Sequence, residues 1–255
     1  PNGDIHFVPF FAPVCQKISA AGVVSTYSLA YTTNYAYLGG ILAPNGDIHF
    51  VSALAAVGQK VSANGSVSTY SLVYTKNGDS YWGGVLAPNG DIHFVPSSAP
   101  VGQKISATGI VSTYSLAYTT NYAYTGGVIA PDGEIHFIPV RASVGQKISL
   151  SGIVSTYSLV YTANYANYGG VLSPNGDIHF VPQKAVTGQK IAADGTVSTY
   201  NLTYTTDYAY TGGVLAVNGD IHFVPYFAAV GQKISTLSAK NFSPLLAQSP
   251  FFNKF

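Results

Sequence analysis

Charged residues are scarce in this sequence. Only 8% of the 255 residues are charged and the net charge is +1, whereas an ordinary soluble domain has roughly 25% charged residues. No run of basic residues occurs, although a basic run or patch is what holds a phosphate backbone or an anionic membrane surface. The composition therefore argues against nucleic acid and membrane as partners. The surface must be built from Ser, Thr, Asn, Gln and Tyr.

Cysteine occurs once, at Cys15, and methionine is absent. A single cysteine forms neither an intramolecular disulfide nor a thiolate metal cluster. No uninterrupted apolar run approaches the ~18 residues of a membrane-spanning helix. We see no secretory signal peptide, and the sequence does not indicate a compartment.

Internal repetition is what the sequence does have. The motif Pro-Asn-Gly-Asp-Ile-His-Phe-Val-Pro starts at residue 1 and returns, slightly varied, at residues 44, 88, 131, 174 and 217. A nearly fixed period of that size indicates a repeat architecture, in which each copy is one supersecondary unit that needs neighbours to bury its faces. We expect a single domain over residues 1–255, ending in a tail, 236–255, that has lost the repeat.

Each repeat predicts four short strands and no helix. In the second repeat the predicted strands are residues 39–43, 47–51, 58–62 and 67–75. Pro44, Asn45 and Gly46 supply the residues of a tight hairpin turn, and Gly65 marks a second one. The paired glycines of the first strand suit a position where another backbone approaches closely.

Four antiparallel strands that are apolar or neutral on both faces bury those faces when such sheets stack radially, as in a β-propeller. The repeat also resembles the kelch and NHL propeller families, whose hairpins carry a similar order of small residue, turn, glycine and aliphatic-x-aromatic residues. We predict an all-β propeller of four-stranded antiparallel blades. Six blades are favoured, closed by N- and C-terminal strands that share one blade, with residues 241–248 and 250–255 as tail strands. Five blades and an extra hairpin are the alternative.

The histidines all occupy one repeated position, two residues after an acid, so each pair lies on one strand face. They are His6, His49, His93, His136, His179 and His222. We interpret them as structural, each a buried imidazole bonded to a hydroxyl group of an adjacent strand. A ring of acid and histidine metal ligands is the alternative, but equivalent strand positions lie far apart, so we predict no metal and no other cofactor. The repeated Gly-Gln-Lys lysine is interpreted as a surface or ion-pair residue that pairs with the repeated acid.

Catalytic patterns are absent from the sequence. No glycine-rich phosphate loop, nucleophile elbow or His-Glu-x-x-His motif occurs, and every histidine is a repeat residue. An active site made of repeat residues would have to exist once in each repeat. We therefore predict that the protein is not an enzyme, and we expect a monomer.

Variation between the copies concentrates in the loop after the second strand and in the linker between blades. Both segments emerge at the same end of an up-and-down sheet. The candidate ligand-binding residues are the linker aromatics Tyr35, Tyr37, Tyr81, Trp82, Tyr122, Tyr124, Tyr165, Tyr168, Tyr208 and Tyr210. Tyrosine and tryptophan present a flat apolar body with a polar tip, which suits a sugar, a peptide or another protein. The alternative is that these rings fill gaps between blades.

The sequence thus predicts a non-catalytic binding module whose repeats recognise a glycan or protein ligand multivalently, with carbohydrate as the leading class. A structural, self-associating or recently amplified propeller scaffold without a small ligand is the alternative. On the first interpretation, Tyr81→Ala and Trp82→Ala leave the fold intact and weaken binding.

Overall fold

The computed structural model describes residues 3–75 and 78–236, which consist of strands, turns and loops. These residues divide into two compact units, the first running to Ser115 and the second beginning at Leu116. A search of this part of the chain finds no helix long and apolar enough to cross a membrane.

The first unit contains three antiparallel sheets, with the strands of each sheet in chain order. The three-stranded sheet is β1 (Ile5–Phe7), β2 (Val14–Ile18) and β3 (Val24–Ser28). The next sheet is β4 (Tyr37–Leu42), β5 (Ile48–Ser52), β6 (Val57–Val61) and β7 (Val67–Ser71). The third is β8 (Tyr81–Leu86), β9 (Ile92–Pro96), β10 (Val101–Ile105) and β11 (Val111–Ser115).

The second unit repeats this plan with two four-stranded sheets and one three-stranded sheet. Its first sheet is β12 (Tyr124–Ile129), β13 (Ile135–Pro139), β14 (Val144–Ile148) and β15 (Val154–Ser158). Its second is β16 (Asn167–Leu172), β17 (Ile178–Pro182), β18 (Gly188–Ile191) and β19 (Val197–Tyr200). Its third is β20 (Tyr210–Leu215), β21 (Ile221–Pro225) and β22 (Gln232–Ile234).

The predicted hairpin turns are confirmed. Between β4 and β5 the Gly46 amide donates to the Ala43 carbonyl at 2.9 Å, and the Ala43 amide donates to the Asp47 carbonyl at 2.8 Å. Gly46 has a φ of +87°, a left-handed conformation that glycine adopts without steric cost. Gly65 closes the second turn in the same way, with its amide 2.8 Å from the Ser62 carbonyl.

The core of each unit lies between successive sheets. Ile41 and Val51 of one sheet pack with Tyr81 and Phe94 of the next, all at most 2% exposed. The second glycine of each pair allows this approach, because a Cβ on Gly84 would meet Ile41 at 3.0 Å and Val51 at 3.2 Å. The second glycine therefore stands where a neighbouring sheet comes close, as the sequence indicates, whereas the first glycine has a positive φ in Gly39, Gly83 and Gly169.

The fourth strand is shorter than predicted, since β7 ends at Ser71 rather than continuing to residue 75. The amides of Val73 and Tyr74 donate instead to the Gln103 side-chain oxygen, at 3.0 and 2.8 Å. That glutamine belongs to β10 of the next sheet. Because the Gln103 side chain accepts these two hydrogen bonds, the backbone amides remain satisfied where the chain leaves the sheet.

The prediction of blades closed into a ring by one shared blade is wrong. In the part of the chain that the structure describes, β1–β3 and β20–β22 form two separate three-stranded sheets rather than one sheet containing both ends. The sheet of the first copy consists of β1, β2 and β3, and β1 belongs to the opening motif. The last copy lacks the Thr-Tyr-Ser-Leu sequence that forms the fourth strand elsewhere. The tail strands predicted at 241–248 and 250–255 lie outside the described residues.

Candidate functional site

The first residue of β4, β8, β12 and β20 is one of the predicted ligand-binding tyrosines, and all four lie in the core. Tyr37, Tyr81, Tyr124 and Tyr210 are at most 1% exposed. Each hydroxyl donates to a backbone carbonyl at the start of the third strand of its sheet, as in the 3.1 Å bond from Tyr81 to Val101. These side chains lack the exposure that ligand contact requires, so they are left out of the candidate site.

The repeated histidines lie on the second strands and face tyrosines of the fourth strands. His93 Nδ1 lies 3.3 Å from the Tyr114 hydroxyl oxygen, and the ring centroids are 5.4 Å apart in an edge-on arrangement. His6, His49 and His179 make the same hydrogen bond. Between His93 and Tyr114 lies β10, so the tyrosine ring reaches across a whole strand to the imidazole.

The glycine of Gly-Gln-Lys makes this crossing feasible. A Cβ on Gly188 would lie 2.2 Å from the Tyr200 ring, and the corresponding glycines of three other repeats show the same overlap. Cys15 stands at this position in the first repeat and is completely buried against Tyr27. Burial raises the pKa of the Cys15 thiol, although its hydrogen bond with Tyr27 acts in the opposite direction.

We expect Gly188→Ala to destabilise the second unit by roughly 1–3 kcal/mol, because the Tyr200 ring must leave its place over the strand. Chemical unfolding monitored by circular dichroism measures the difference. Gly231→Ala is the matched control, since the same motif position there has no atom within 4 Å of the added Cβ. Equal stability losses in the two variants would show that strand backbone entropy, and not the tyrosine crossing, sets the requirement for glycine.

The repeated lysines and acids form ion pairs, as predicted. The Nζ–carboxylate distances lie between 2.5 and 3.0 Å in all six repeats. Burial alone would raise the pKa of Asp47, but the hydrogen bond and charge of Lys60 hold it below the ordinary value. Asp47 also accepts from the Ala63 amide at 3.2 Å. The acid thereby ties the two hairpin turns of one sheet together.

The acid–histidine pairs therefore have structural partners. Among the described residues, no group of three or more His, Cys, Asp or Glu side chains is arranged to hold a metal ion. The interpretation of the histidines as packing residues fits their burial in four repeats, whereas His222 is exposed.

The opposite end of each sheet carries the variable segments. Here, the loop end means the end formed by the loop after the second strand and by the linker before the first strand. In the second unit the Arg141 amide donates to the Tyr122 carbonyl at 3.2 Å, and the Tyr165 amide donates to the Val140 carbonyl at 2.7 Å. These bonds join loop and linker at one end of the sheet, which places the variable segments side by side as expected.

Four linker tyrosines have a left-handed backbone. Tyr35, Tyr122, Tyr165 and Tyr208 have φ angles of 55–60°. A bulky residue with positive φ is a conformational outlier that costs on the order of 1–3 kcal/mol. Such strain persists only where surrounding contacts enforce it, and it clusters at binding sites.

Side chains of the loop ends form a row in the second unit, here called the tyrosine–cation row: Tyr122, Arg141, Tyr165, Lys184 and Tyr208. The guanidinium carbon of Arg141 lies 5.5 Å from the Tyr122 ring centroid and 4.7 Å from that of Tyr165. Lys184 Nζ lies 5.9 Å from the Tyr165 centroid and 4.2 Å from that of Tyr208. Each linker tyrosine thus meets the variable loop of one or two repeats.

The row ends in exposed aromatic rings. Phe227 lies 6.1 Å from Tyr208, centroid to centroid, and stacks on Tyr226 at 4.5 Å. Tyr226 is 58% exposed and Phe227 is 63% exposed. The sequence also signals these residues, because they fall in the loop that differs most between repeats.

The first unit has its own group of rings at a loop end, here called the first aromatic cluster: Phe10, Phe11 and Tyr35. Their centroids are 4.3–4.8 Å apart, and all three rings are exposed. The remaining predicted aromatics, Trp82 and Tyr168, follow the buried tyrosine position on the first strands and are partly buried. Burial raises the pKa of the Tyr168 hydroxyl.

The repeated antiparallel sheets and their glycine-mediated packing define an all-β repeat protein of the propeller-like type. No protein-family model and no curated protein matches the sequence. Membership of the kelch or NHL families is therefore not confirmed.

Solved structures of similar fold do exist. A streptogramin B lyase shares 20% identity at a TM-score of 0.75, over 92% of this chain and 80% of that chain. A catalytically inactive virginiamycin B lyase from Staphylococcus aureus, determined with quinupristin, shares 16% identity at a TM-score of 0.76, over 93% and 82%. A protein described as a putative gluconolactonase shares 13% identity at a TM-score of 0.53, over 74% and 71%. At these identities the likeness shows the fold alone, and this fold is found in enzymes as well as in proteins of unknown function.

Proposed function

We propose that the protein is a non-catalytic binding module that recognises carbohydrate at the loop ends of its sheets. The observation that carries the proposal is the set of four linker tyrosines held at positive φ, each beside a variable loop. Packing alone does not require a strained backbone under a ring that stays partly or largely exposed. A preorganised ring does serve ligand recognition, because its ordering cost is met before the ligand arrives.

The chemistry of these ends suits sugars. Phe10, Phe11 and Tyr35 in the first unit, and Tyr226 and Phe227 in the second, present exposed aromatic surface. Aromatic faces pack against the apolar C–H faces of a sugar ring, and a tyrosine hydroxyl adds a hydrogen-bonding tip. Related sites in successive repeats add their affinities against a ligand displayed many times.

The location of the ionisable groups that recur in every repeat favours binding over catalysis. The acid and lysine of each repeat lie beside the hairpin turns, at the end of the sheet opposite to the loops. His49, His93 and His179 are hydrogen-bonded to tyrosines and carry a lowered pKa because of desolvation. Neither group reaches the loop ends, where the exposed aromatics lie.

Glycan and peptide arrays probed with the purified chain test the proposal. We expect retention on a subset of glycans, and Phe227→Ala should weaken the strongest of these interactions roughly tenfold, equivalent to about 1.4 kcal/mol. Val217→Ala is the control, because it removes an apolar side chain that is 78% exposed beside a hairpin turn. Binding to neither array would favour a structural or self-associating scaffold. Turnover of a bound compound would favour an enzyme.

A further inference from the structure

Arg141 differs from the other cations that the structure describes. Seven lysines in residues 3–75 and 78–236 form ion pairs, including Lys184, which lies 3.5 Å from Asp207. Arg141 has no carboxylate within ion-pair distance among the described residues. Its Nε is buried and has no hydrogen-bond partner there. The tyrosine–cation row thus contains one guanidinium group whose charge is not neutralised by any carboxylate of the described residues.

An unneutralised guanidinium is costly where aromatic rings shield it from water. Leaving a buried polar group without a partner costs about 1–3 kcal/mol, and more when the group is charged. The rings of Tyr122 and Tyr165 offset part of that cost by cation–π attraction. They also hold the planar group in one place, and Arg141 stays partly exposed beside them. Because Nε itself is buried, an incoming anion would bind the other guanidinium nitrogens of the partly exposed Arg141, whose charge no described carboxylate neutralises.

We propose that this loop end binds a carboxylated sugar, such as a uronic or sialic acid residue, with Arg141 receiving the carboxylate. The inference deepens the carbohydrate-binding function proposed above and rests on it. A carboxylate matches the guanidinium fork, because two parallel N–H donors meet two coplanar oxygens. The sugar ring that bears the carboxylate then lies against Tyr122 or Tyr165, which supplies the apolar contact.

The position in the fold supports a ligand role for Arg141 rather than a structural one. The corresponding loop residue is Phe11 in the first repeat, Leu54 in the second, Ser98 in the third, Lys184 in the fifth and Phe227 in the sixth. Leu54 and Phe227 make the same backbone bond from the loop amide to the linker carbonyl, to Tyr35 at 3.2 Å and to Tyr208 at 3.0 Å. The fold therefore does not need arginine at this position, and the charge is available for recognition.

The test uses carboxylated oligosaccharides containing galacturonate, glucuronate or sialic acid, each paired with its methyl ester. Calorimetric titration should show tighter binding of at least one free acid than of its ester, weakened by added salt because the interaction is between charges. Arg141→Gln should reduce that affinity roughly ten- to hundredfold. The affinity of Arg141→Lys should lie between those of the parent protein and Arg141→Gln, because lysine keeps the charge but lacks the two parallel N–H donors.

Leu54→Gln is the matched control, since it introduces the same side chain at the equivalent loop position of the first unit and should leave the affinity unchanged. Circular dichroism of all variants establishes that they fold. Equal affinity for acids and esters would overturn the inference and leave the binding function in place. Preference for sulfated sugars or polyglutamate over every carboxylated sugar would also overturn it. Absence of any glycan ligand would remove the underlying function as well.

Discussion

Acidification from about pH 7 to about pH 4.5 should lower the free energy of unfolding of each unit by about 4 kcal/mol. The cause is the pair of buried histidines in each, His49 and His93 in the first and His136 and His179 in the second. Desolvation lowers the pKa of each to about 4 from an ordinary value of 6.5. In all four the charge of the neighbouring repeat lysine lowers it further, while the acid two residues earlier opposes the shift.

The direction follows from proton binding. Between pH 6.5 and pH 4 the unfolded chain binds protons that the folded histidines exclude, so acid favours unfolding. The stabilisation is complete above the unfolded pKa and is lost as the pH falls through this window. One pKa unit corresponds to about 1.4 kcal/mol, so each histidine loses on the order of 2 kcal/mol by pH 4.5. A domain has only about 5–15 kcal/mol of stability. Acid unfolding is therefore expected near the lower end of the pH range from 7 to 4.5.

Urea unfolding at a series of pH values and constant ionic strength measures how the free energy of unfolding depends on pH. His93→Gln should flatten the profile, because glutamine is neutral at every pH and retains a hydrogen-bonding group for Tyr114. His222→Gln is the control at the exposed copy of the same position and should leave the profile in place. A profile of the parent protein that is level from pH 7 to pH 4.5 would show that the buried imidazoles take up protons without cost.

The parts of the structure that the sequence predicts are those decided within one repeat. The hairpin at Pro44–Asn45–Gly46 follows from turn chemistry, and its glycine has the positive φ that the sequence requires. The glycine pairs follow from the close approach of adjacent sheets, which Gly84 shows. The pairing of Lys60 with Asp47 is also local, because Lys60 lies on β6 and Asp47 directly precedes the neighbouring strand β5 of the same sheet. Period and residue type are sufficient for such features.

What could not be predicted depends on contacts between distant positions. The role of Gln103 is invisible in its own motif, because its oxygen binds amides of the preceding repeat, at Val73 and Tyr74. The Tyr114 ring passes over Gly102 on the neighbouring strand, and it fits there only because glycine has no side chain. The prediction of ring closure is wrong for another reason. It depends on strands in a tail outside the repeat, where no periodic signal supports a strand.

The candidate site was predicted in part. Sequence variation located the loop ends, but it did not separate Tyr35, which is exposed, from Tyr37, which is buried two residues later. The separation depends on backbone conformation, since Tyr35 has positive φ and Tyr37 begins a strand. Arg141 was also not selected, because a single arginine in a variable loop gives no sequence signal. Its significance comes from the two rings that it contacts and from the absence of a carboxylate within ion-pair distance in residues 3–75 and 78–236.

Tyr81→Ala should destabilise the first unit by about 3–5 kcal/mol, the usual cost of deleting a large buried aromatic side chain. This reverses the expectation from sequence that the variant keeps its fold. Tyr81 is completely buried, its ring lies 5.6 Å from that of Phe94, and burial raises the pKa of its hydroxyl. Alanine would leave a cavity between two sheets and remove the hydrogen bond to the Val101 carbonyl.

Two further variants separate the contributions. Tyr81→Phe should cost only about 1 kcal/mol, because the ring remains and one hydrogen bond is lost. Phe11→Ala should change stability by less than about 1 kcal/mol, since that ring is 55% exposed in the same unit. Thermal and urea unfolding followed by circular dichroism give all three values. If Tyr81→Ala proved as stable as Phe11→Ala while ligand affinity fell, the buried tyrosine position would have to open to solvent in the native protein, and the candidate site would extend inward from the loop ends.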